Sequence, residues 1–348
     1  LLTILMTPFM SCGARLPIYA LFAVAFFPVG GQNIVFGLYL IGIAVAILTG
    51  LIMKNTLLKG EVADFFMEFP PYHLPTLQNV LLHTWERLKS FIFTAGKVIV
   101  PMVILLTFLN SWGTDGSFGN ENSQKSVLSE IGRTLTPAFQ PMGLNADNWP
   151  ATVGIFTGVL AKEAVVGTLN SLYTQMGETQ NRSGNFHFWQ GIQEAWATIP
   201  THLAEVTSKL LDPLGLNLGD TSNREVAATQ QAVNVGTFGA MVARFDGQVG
   251  AFAFLLFILL YFPCAAALAA IYQETNLRWT ILVASWTTGL AYLFATLFYQ
   301  LATFGRHPLQ SIFWTIGLLS LLALTIVVMY SYSRRQIKLE SKTLVLDS

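Results

Sequence analysis

Charge is scarce in this sequence. Only 19 Lys+Arg and 19 Asp+Glu are spread over 348 residues, 11% against the roughly 25% of an ordinary soluble domain. They cancel to a net charge of zero, which removes any bulk basic or acidic character that would point to nucleic acid. Cysteine is nearly absent. The two present, Cys12 and Cys264, both lie in apolar runs, which argues against a disulfide framework. The five histidines (His73, His83, His187, His202 and His307) have no histidine or cysteine partner three or four residues on, and each lies in a loop or amphipathic segment, so they read as surface residues. There is no GxxxxGK[ST], GxSxG, HExxH or CxxC pattern, so no motif assigns hydrolysis or redox chemistry, and the chain is expected not to be an enzyme. An initiator Met and a basic n-region are also lacking. The chain opens inside an apolar run and reads as the C-terminal piece of a longer protein.

What is abundant is hydrocarbon. The chain is 53% hydrophobic with a mean hydropathy of +0.53, the composition of an integral membrane protein. A bilayer core of about 30 Å needs about 20 apolar helical residues. The block up to Phe27 is cut by Pro8 and Pro17 and predicts a discontinuous helix. Asn33 to Met53 is a cleaner span, with Gly42, Ala46 and Gly50 on one face to allow close helix contact. Residues 60–92 predict an amphipathic connector: Glu61, Asp64 and Glu68 among apolar residues, a stiff turn at Pro70-Pro71 and Pro75, then an amphipathic helix from Leu77 to Lys89. Trp85, Arg87 and Lys89 are expected at the headgroups. Phe91 to Trp112 is the next span, kinked at Pro101, and polar residues follow to Asn148. Trp149 to Tyr173 is apolar but carries Lys162-Glu163. Residues 175–247 form the longest polar region. Three apolar segments, about 249–272, 279–304 and 309–332, precede a basic tail at 334–348.

The division that follows is 1–59, a broken helix plus span; 60–92, the connector; 93–247, a second region with polar segments; 248–333, the last spans; and 334–348, the tail. Positive-inside bias puts the Lys54/Lys59 and Arg87/Lys89 loop and the tail in the cytoplasm. Full crossing by every apolar segment would leave that tail outside. One segment therefore does not cross, and 149–173 is the candidate, as a re-entrant helix bearing Lys162-Glu163.

Three places hold chemistry at membrane depth. Pro8-Phe-Met-Ser-Cys12-Gly-Ala-Arg15-Leu-Pro17 sets a thiol and a guanidinium between prolines. Broken backbone at that depth is tolerated only against protein or a watery cavity, and an intramembrane arginine marks a pathway or a paired site. Cys12, Met10 and Met6 supply sulfur of the kind that suits soft or borderline metals; packing is the alternative use of such a cysteine. Arg15 is expected either to cap freed carbonyls or to pair with Glu163 or Glu274. The second place, Tyr261-Phe-Pro263-Cys264-Ala, again interrupts a span beside a thiol, with Gln273, Glu274 and Asn276 closing the segment. In the third, Lys162 and Glu163 lie about 100° apart on a helix and so face different partners. They are either a register-fixing ion pair or a cation-attracting carboxylate in a pathway. Gly154, Gly158, Ala161 and Gly167 allow close packing around them. Two proline-broken segments fit the repeat logic of secondary transporters.

The run Pro8-Phe-Met-Ser-Cys-Gly-Ala-Arg-Leu-Pro-Ile-Tyr19 resembles the first gate motif of the bacterial ferrous iron transport protein B family. So do Phe69-Pro-Pro-Tyr-His-Leu-Pro-Thr76 and Val80-Leu-Leu-His-Thr-Trp-Glu-Arg-Leu88. Ala161-Lys-Glu-Ala-Val-Val-Gly-Thr168 and Pro263-Cys264 are similar to its second gate region and late cysteine. The resemblance implies an all-α polytopic integral membrane protein with discontinuous helices and two gate-type repeats, multi-pass in a bacterial inner membrane. It implies Fe(II) as the transported ion and Cys12, Cys264, Glu163, Met10 and Glu274 as candidate metal-lining groups. Arg15, Lys162, Pro8, Pro17 and Pro263 become gate or structural positions. It further implies an N-terminal G domain using GTP and Mg²⁺ outside this chain, small cytosolic Feo partner proteins, a homo-oligomer, lipid contact and no cofactor or nucleic acid in this part. Two other readings stay open: a transporter of nucleosides or other organic solutes, with Gln273 and Asn276 as its polar groups, and a non-transporting scaffold.

Overall fold

The structure, a computed structural model, describes residues 1–58, 76–121, 123–162, 164–177 and 233–346, with isolated positions between 193 and 200. Among the described residues every extended element is helical. The helices are α1 (Leu2–Met6), α2 (Leu16–Phe26), α3 (Gly31–Thr56), α4 (Leu77–Ser111), α5 (Val127–Phe139), α6 (Trp149–Leu160), α7 (Ala164–Gly177), α8 (Val235–Arg244), α9 (Gly247–Leu260), α10 (Ala265–Glu274), α11 (Leu277–Ala302) and α12 (Pro308–Leu346). Among the described residues five segments are long and apolar enough to cross a membrane: Leu2–Phe26, Gly31–Thr56, Gly247–Glu274, Leu277–Ala302 and Pro308–Arg334. The chain is an all-α polytopic membrane protein, as its composition predicts.

Two helices form the centre. Between Ile18 and Phe26 on α2 only Ala20 is more than slightly exposed, and α9 is buried from Gly250 to Leu260 except at half-buried Phe252. A helix apolar on all sides belongs inside other helices or in lipid. Here the two pack on each other through rings. Phe22 stacks on Phe254 at 5.0 Å and meets Phe245 edge-on at 5.3 Å. Lipid is as apolar as leucine, so such helices are joined by packing and polar contacts rather than by hydrophobic exclusion. At the other extreme, α12 shows most of its apolar surface to the outside, with Leu309, Phe313, Ile316 and Leu324 all more than half exposed.

The two ends of the bundle are well defined. At one, Leu5, Met53, Ile271 and Val283 cluster with Met329 packed on them, which brings together the starts of α1 and α11 and the ends of α3 and α10. At the other, Gln248 Nε2 donates to the Phe26 carbonyl (2.9 Å), Gln300 Nε2 to the Pro141 carbonyl (2.7 Å), and Leu144 bridges to Phe245. The α1–α2 pair, α3, the α9–α10 pair, α11 and α12 therefore each cross between the two ends. Helix α4 packs against both α10 and α5 and so runs between them as well, although only Gly96–Ser111 of the expected Phe91–Trp112 span stands out as an apolar helix, too short to count among the five.

The segment after Asn148 turns back on itself. Tyr173 Oη donates to Asn148 Oδ1 (2.5 Å), a Cβ at Gly154 would lie 2.8 Å from Leu169 Cδ2, and one at Gly158 2.8 Å from Val165 Cγ2. Those pairings run antiparallel, so α6 and α7 form a hairpin whose ends share one face and whose turn points inward. A hairpin is the form that the re-entrant reading of 149–173 expects. Helix α8 is held to the hairpin by Thr237 Oγ1, which donates to Asn170 Oδ1 (2.7 Å), and by Asn234 N on the same oxygen (3.0 Å).

Several expectations change. The break foreseen between Leu77–Lys89 and Phe91–Trp112 does not exist; α4 runs through both, so the 92/93 boundary falls inside a helix. Gly96 and Pro101 both lie within it, and neither ends the helix. Pro17 is a starter rather than a breaker, lying in the first turn of α2, where a missing N–H has no partner to lose. Gly167 is exposed, with nothing within 4 Å of its absent Cβ, so it mediates no packing. The Glu61–Glu68 segment, the Pro70–Pro75 turn, Lys59, His73, His187, His202 and most of 175–247 lie outside the described residues. His83 and His307 are exposed, and His83 pairs with Glu86 at 3.5 Å.

Candidate functional site

Three interruptions of helix carry the site. In the first, Pro8 sits in the 3-10 turn Thr7–Phe9, and the chain runs extended at Met10 (φ −72°, ψ 134°) and Cys12 (φ −107°, ψ 161°) before α2 begins. The freed carbonyls are taken up by Arg15, which is 2% exposed. Its Nη1 donates to the Met10 carbonyl (3.2 Å) and its Nη2 to that of Pro8 (3.1 Å). Of the two uses foreseen for Arg15, capping is seen here; Glu274 is exposed at the far end of α10, and Glu163 lies outside the described residues. Its Nε has no protein partner. Gly42 lets this bend approach α3, because a Cβ there would lie 2.7 Å from the Phe9 carbonyl oxygen; Gly50 does the same for Met6 Sδ at 2.8 Å.

The second interruption is the hairpin turn. Ala161 is extended (φ −146°, ψ 105°), and α7 restarts as Ala164 N donates to the Ala161 carbonyl (3.1 Å). Lys162 is 3% exposed at the turn; Glu163 lies outside the described residues. The third is Tyr261-Phe262-Pro263-Cys264, extended at Tyr261 (ψ 177°) and Cys264 (φ −61°, ψ 159°), with Pro263 supplying no donor.

These three breaks meet at Tyr261. Its side chain is buried, and a Cβ at Gly158 would collide with its hydroxyl. Lys162 Nζ stands 4.8 Å from its ring centroid. Arg15, Cys264, Cys12 and Tyr19 all lie within electrostatic reach of it. Tyr261 Oη itself is buried without a hydrogen-bond partner. Both thiols are free, Cys12 exposed and Cys264 half-buried, and Met10 beside Cys12 is half exposed.

The predicted residues therefore divide. Cys12, Cys264, Arg15 and Lys162 come together with Pro8 and Pro263 at the breaks. Glu274 does not join them. It is exposed at the far end of α10, about 15 Å from Cys264 at 1.5 Å of rise per residue. Gln273 is exposed beside it, and Asn276 is spent as the cap of α11, its Oδ1 accepting from Trp279 N (3.2 Å). Among the described residues no three His, Cys, Asp or Glu side chains group to hold a metal. Sequence reasoning quoted Tyr261 without giving it a role. Its place directly before Phe-Pro-Cys and the bare Gly158 one turn ahead of Lys162 were the available signals.

A site of two thiols among opened helix ends, with exposed sulfur at one of them, suits a borderline cation held by few ligands. The profile described as "Ferrous iron transport protein B C terminus" matches residues 35–87, and the Gate profile described as "Nucleoside recognition" matches residues 92–278, more than half of the chain. The chain belongs to the ferrous iron transport protein B family. Among similar proteins are Fe(2+) transporter FeoB of Legionella pneumophila strain Paris, 48% identical over 96% of this chain, and FeoB of Escherichia coli K12, 40% identical over 94%. FeoB of Salmonella typhi is 39% identical over 99%. The chain spans 43% of the length of the Legionella protein and 41% of the E. coli one. No solved structure matches. The Gate profile takes in the hairpin and the Tyr261–Cys264 break, while the Pro8–Pro17 motif precedes both profiles.

Proposed function

We propose that this chain is the membrane pathway of a ferrous iron transporter of a bacterial inner membrane, and that Fe(II) passes between Cys12 and Cys264. The observation that carries the reading is the meeting of both cysteine-bearing breaks at Tyr261, more than 240 residues apart in sequence. Sulfur suits Fe(II), and a pathway releases its ion only if the ligands are few. Met10 adds an exposed thioether beside Cys12. Glu163, next to Lys162 in sequence, is the carboxylate we assign to the pathway.

The end of the bundle with Lys54, Arg278 and Arg334 we place in the cytoplasm by charge bias. A G domain using GTP and Mg²⁺, small cytosolic partners and a homo-oligomer belong to the proposal for the whole protein, as the family implies. Fe(II) uptake by cells carrying the full-length protein tests it. Cys12→Ser and Cys264→Ser together should abolish uptake at normal expression. Unchanged uptake removes the thiols from the pathway, and saturable nucleoside uptake without Fe(II) uptake replaces the reading with an organic-solute carrier.

A further inference from the structure

Helix α8 holds its neighbours in two different ways. Among the described residues, the hydrogen bonds that tie it to another helix all run to α7. Asn170 Oδ1 accepts from Thr237 Oγ1 (2.7 Å) and from Asn234 N (3.0 Å). Thr174 Oγ1 lies 3.0 Å from Thr237 Oγ1 and accepts from Asn234 Nδ2 (3.3 Å). Toward α2 and α9 the contacts are apolar. Phe238 and Met241 are fully buried in the main core, and Phe245, directly after the helix, meets the rings of Phe22, Phe26 and Phe254. Leu169 and Tyr173 of α7 reach the same core, so the seam with α7 is mixed where the opposite side is wholly apolar. The helix is also poorly made on its own. Gly236 and Gly239 take two of its ten positions, nothing lies within 4 Å of either absent Cβ, and Asn234 makes no side-chain cap. Glycine is a weak helix former and a short helix is marginal alone, so α8 keeps its shape through docking.

The two kinds of contact differ in what parting them costs. A hydrogen bond between neutral groups trades with water at little net loss, whereas buried rings have to be exposed. The polar seam is already partly open, with Asn234 exposed and Asn170 and Thr174 half-buried. On its other flank the hairpin presses Gly158 against Tyr261 Oη, which is buried without a protein partner and gains water when the hairpin withdraws. We propose that the α7–α8 seam is a latch: during transport the α6–α7 hairpin parts from α8 there, while α8 stays with α2 and α9. The inference rests on the reading of the chain as a transport pathway.

The test uses the full-length protein in liposomes. Thr174→Cys/Thr237→Cys sets two thiols across the seam, where diamide oxidises them to a disulfide. The parent and each single variant receive the same treatment, which accounts for Cys12 and Cys264. The bridged protein should take up Fe(II) roughly tenfold more slowly than the treated parent, as a blocked gating motion requires, and dithiothreitol should restore it. A seam that never parts tolerates the bridge, so undiminished uptake with the bridge complete by mass spectrometry overturns the latch. The second readout needs no uptake. Thr237 is fully buried at the seam, so Thr237→Cys reacts with an impermeant maleimide only while the hairpin is withdrawn. It should label roughly tenfold faster than Ala251→Cys, which is equally buried on α9. Equal labelling rates overturn the latch, also where the double variant fails to fold. Absence of Fe(II) uptake by the parent refutes the ferrous pathway instead, and the labelling then judges the latch alone.

Discussion

The Nη2 of Arg15 donates to the Pro8 carbonyl at 3.1 Å, across the bend that the proline itself creates. Its Nη1 does the same for Met10 at 3.2 Å, so one fork closes both ends of the break. Arg15→Met strands two carbonyls at membrane depth and should cost about 2–4 kcal/mol, since a buried acceptor left unpaired forfeits its full desolvation energy. Arg15→Lys presents a point charge without the planar fork and should lose roughly half as much. Thermal unfolding in detergent, with an Arg15→Met midpoint equal to the parent's as the contrary result, decides it.

Gly42 and Gly37 lie on the same helix and should behave in opposite ways. A methyl at Gly42 would sit 2.7 Å from the Phe9 carbonyl oxygen, whereas nothing lies within 4 Å of one at Gly37. Gly42→Ala should destabilise by about 1–3 kcal/mol through overpacking. Gly37→Ala should stay within about 0.5 kcal/mol. Equal melting temperatures for the two variants would show that α3 does not hold the first break in place.

Gly158 and Tyr261 should be coupled. Alanine at 158 collides with the tyrosine hydroxyl and crowds Val165. Removing the hydroxyl in Gly158→Ala/Tyr261→Phe should recover about 1 kcal/mol or more of the loss, a non-additivity expected of residues in contact. Strict additivity in a double-mutant cycle would contradict the packing described here.

Asp246 ties the start of α9 to the end of α11. Its carboxylate accepts from Arg306 Nη1 at 2.7 and 2.9 Å and from Tyr299 Oη at 2.9 Å. The arginine side chain is 62% exposed, so Arg306→Ala should cost no more than about 0.5–1 kcal/mol. Asp246→Ala also strands the tyrosine hydroxyl and should cost about 1–2 kcal/mol. Titration with denaturant should order them so, and a larger loss at Arg306 reverses the assignment.

The hairpin gives a topological prediction. Asp147 and Gln175 are exposed near its two ends, which share a face. Cysteines placed at these positions should both react with an impermeant maleimide applied to one side of sealed vesicles, and Lys54→Cys should react only from the other. Labelling of Asp147→Cys and Gln175→Cys from opposite sides would make α6–α7 a true crossing.

Much of this was legible beforehand. Pro8 and Pro263 announce their breaks because each lacks a backbone donor, whatever surrounds it. The excess of apolar residues gave the spans, and the charge of the tail showed that one segment turns back. Less could be read at Pro17, since a proline in a first helical turn and a proline that ends a helix look alike in sequence. Glu274 was misplaced for a similar reason. A carboxylate ten residues after a cysteine says nothing about whether the intervening helix carries it toward the site or away. Tyr261 had no visible role because its role consists of neighbours drawn from three distant segments.

The chain's covalent chemistry thus decides where the backbone breaks, which stretches can enter lipid, and that a guanidinium and an ammonium must be accommodated there. These are local matters of missing N–H groups, apolar length and charge. Only the tertiary structure decides that the breaks meet, that Arg15 caps the carbonyls of Pro8 and Met10, and that Lys162 reaches the ring of Tyr261 99 residues further on. Such contacts depend on the direction in which each helix crosses and on the close approaches that Gly42 and Gly158 permit. Helical periodicity fixes a face, but it does not say what that face will meet.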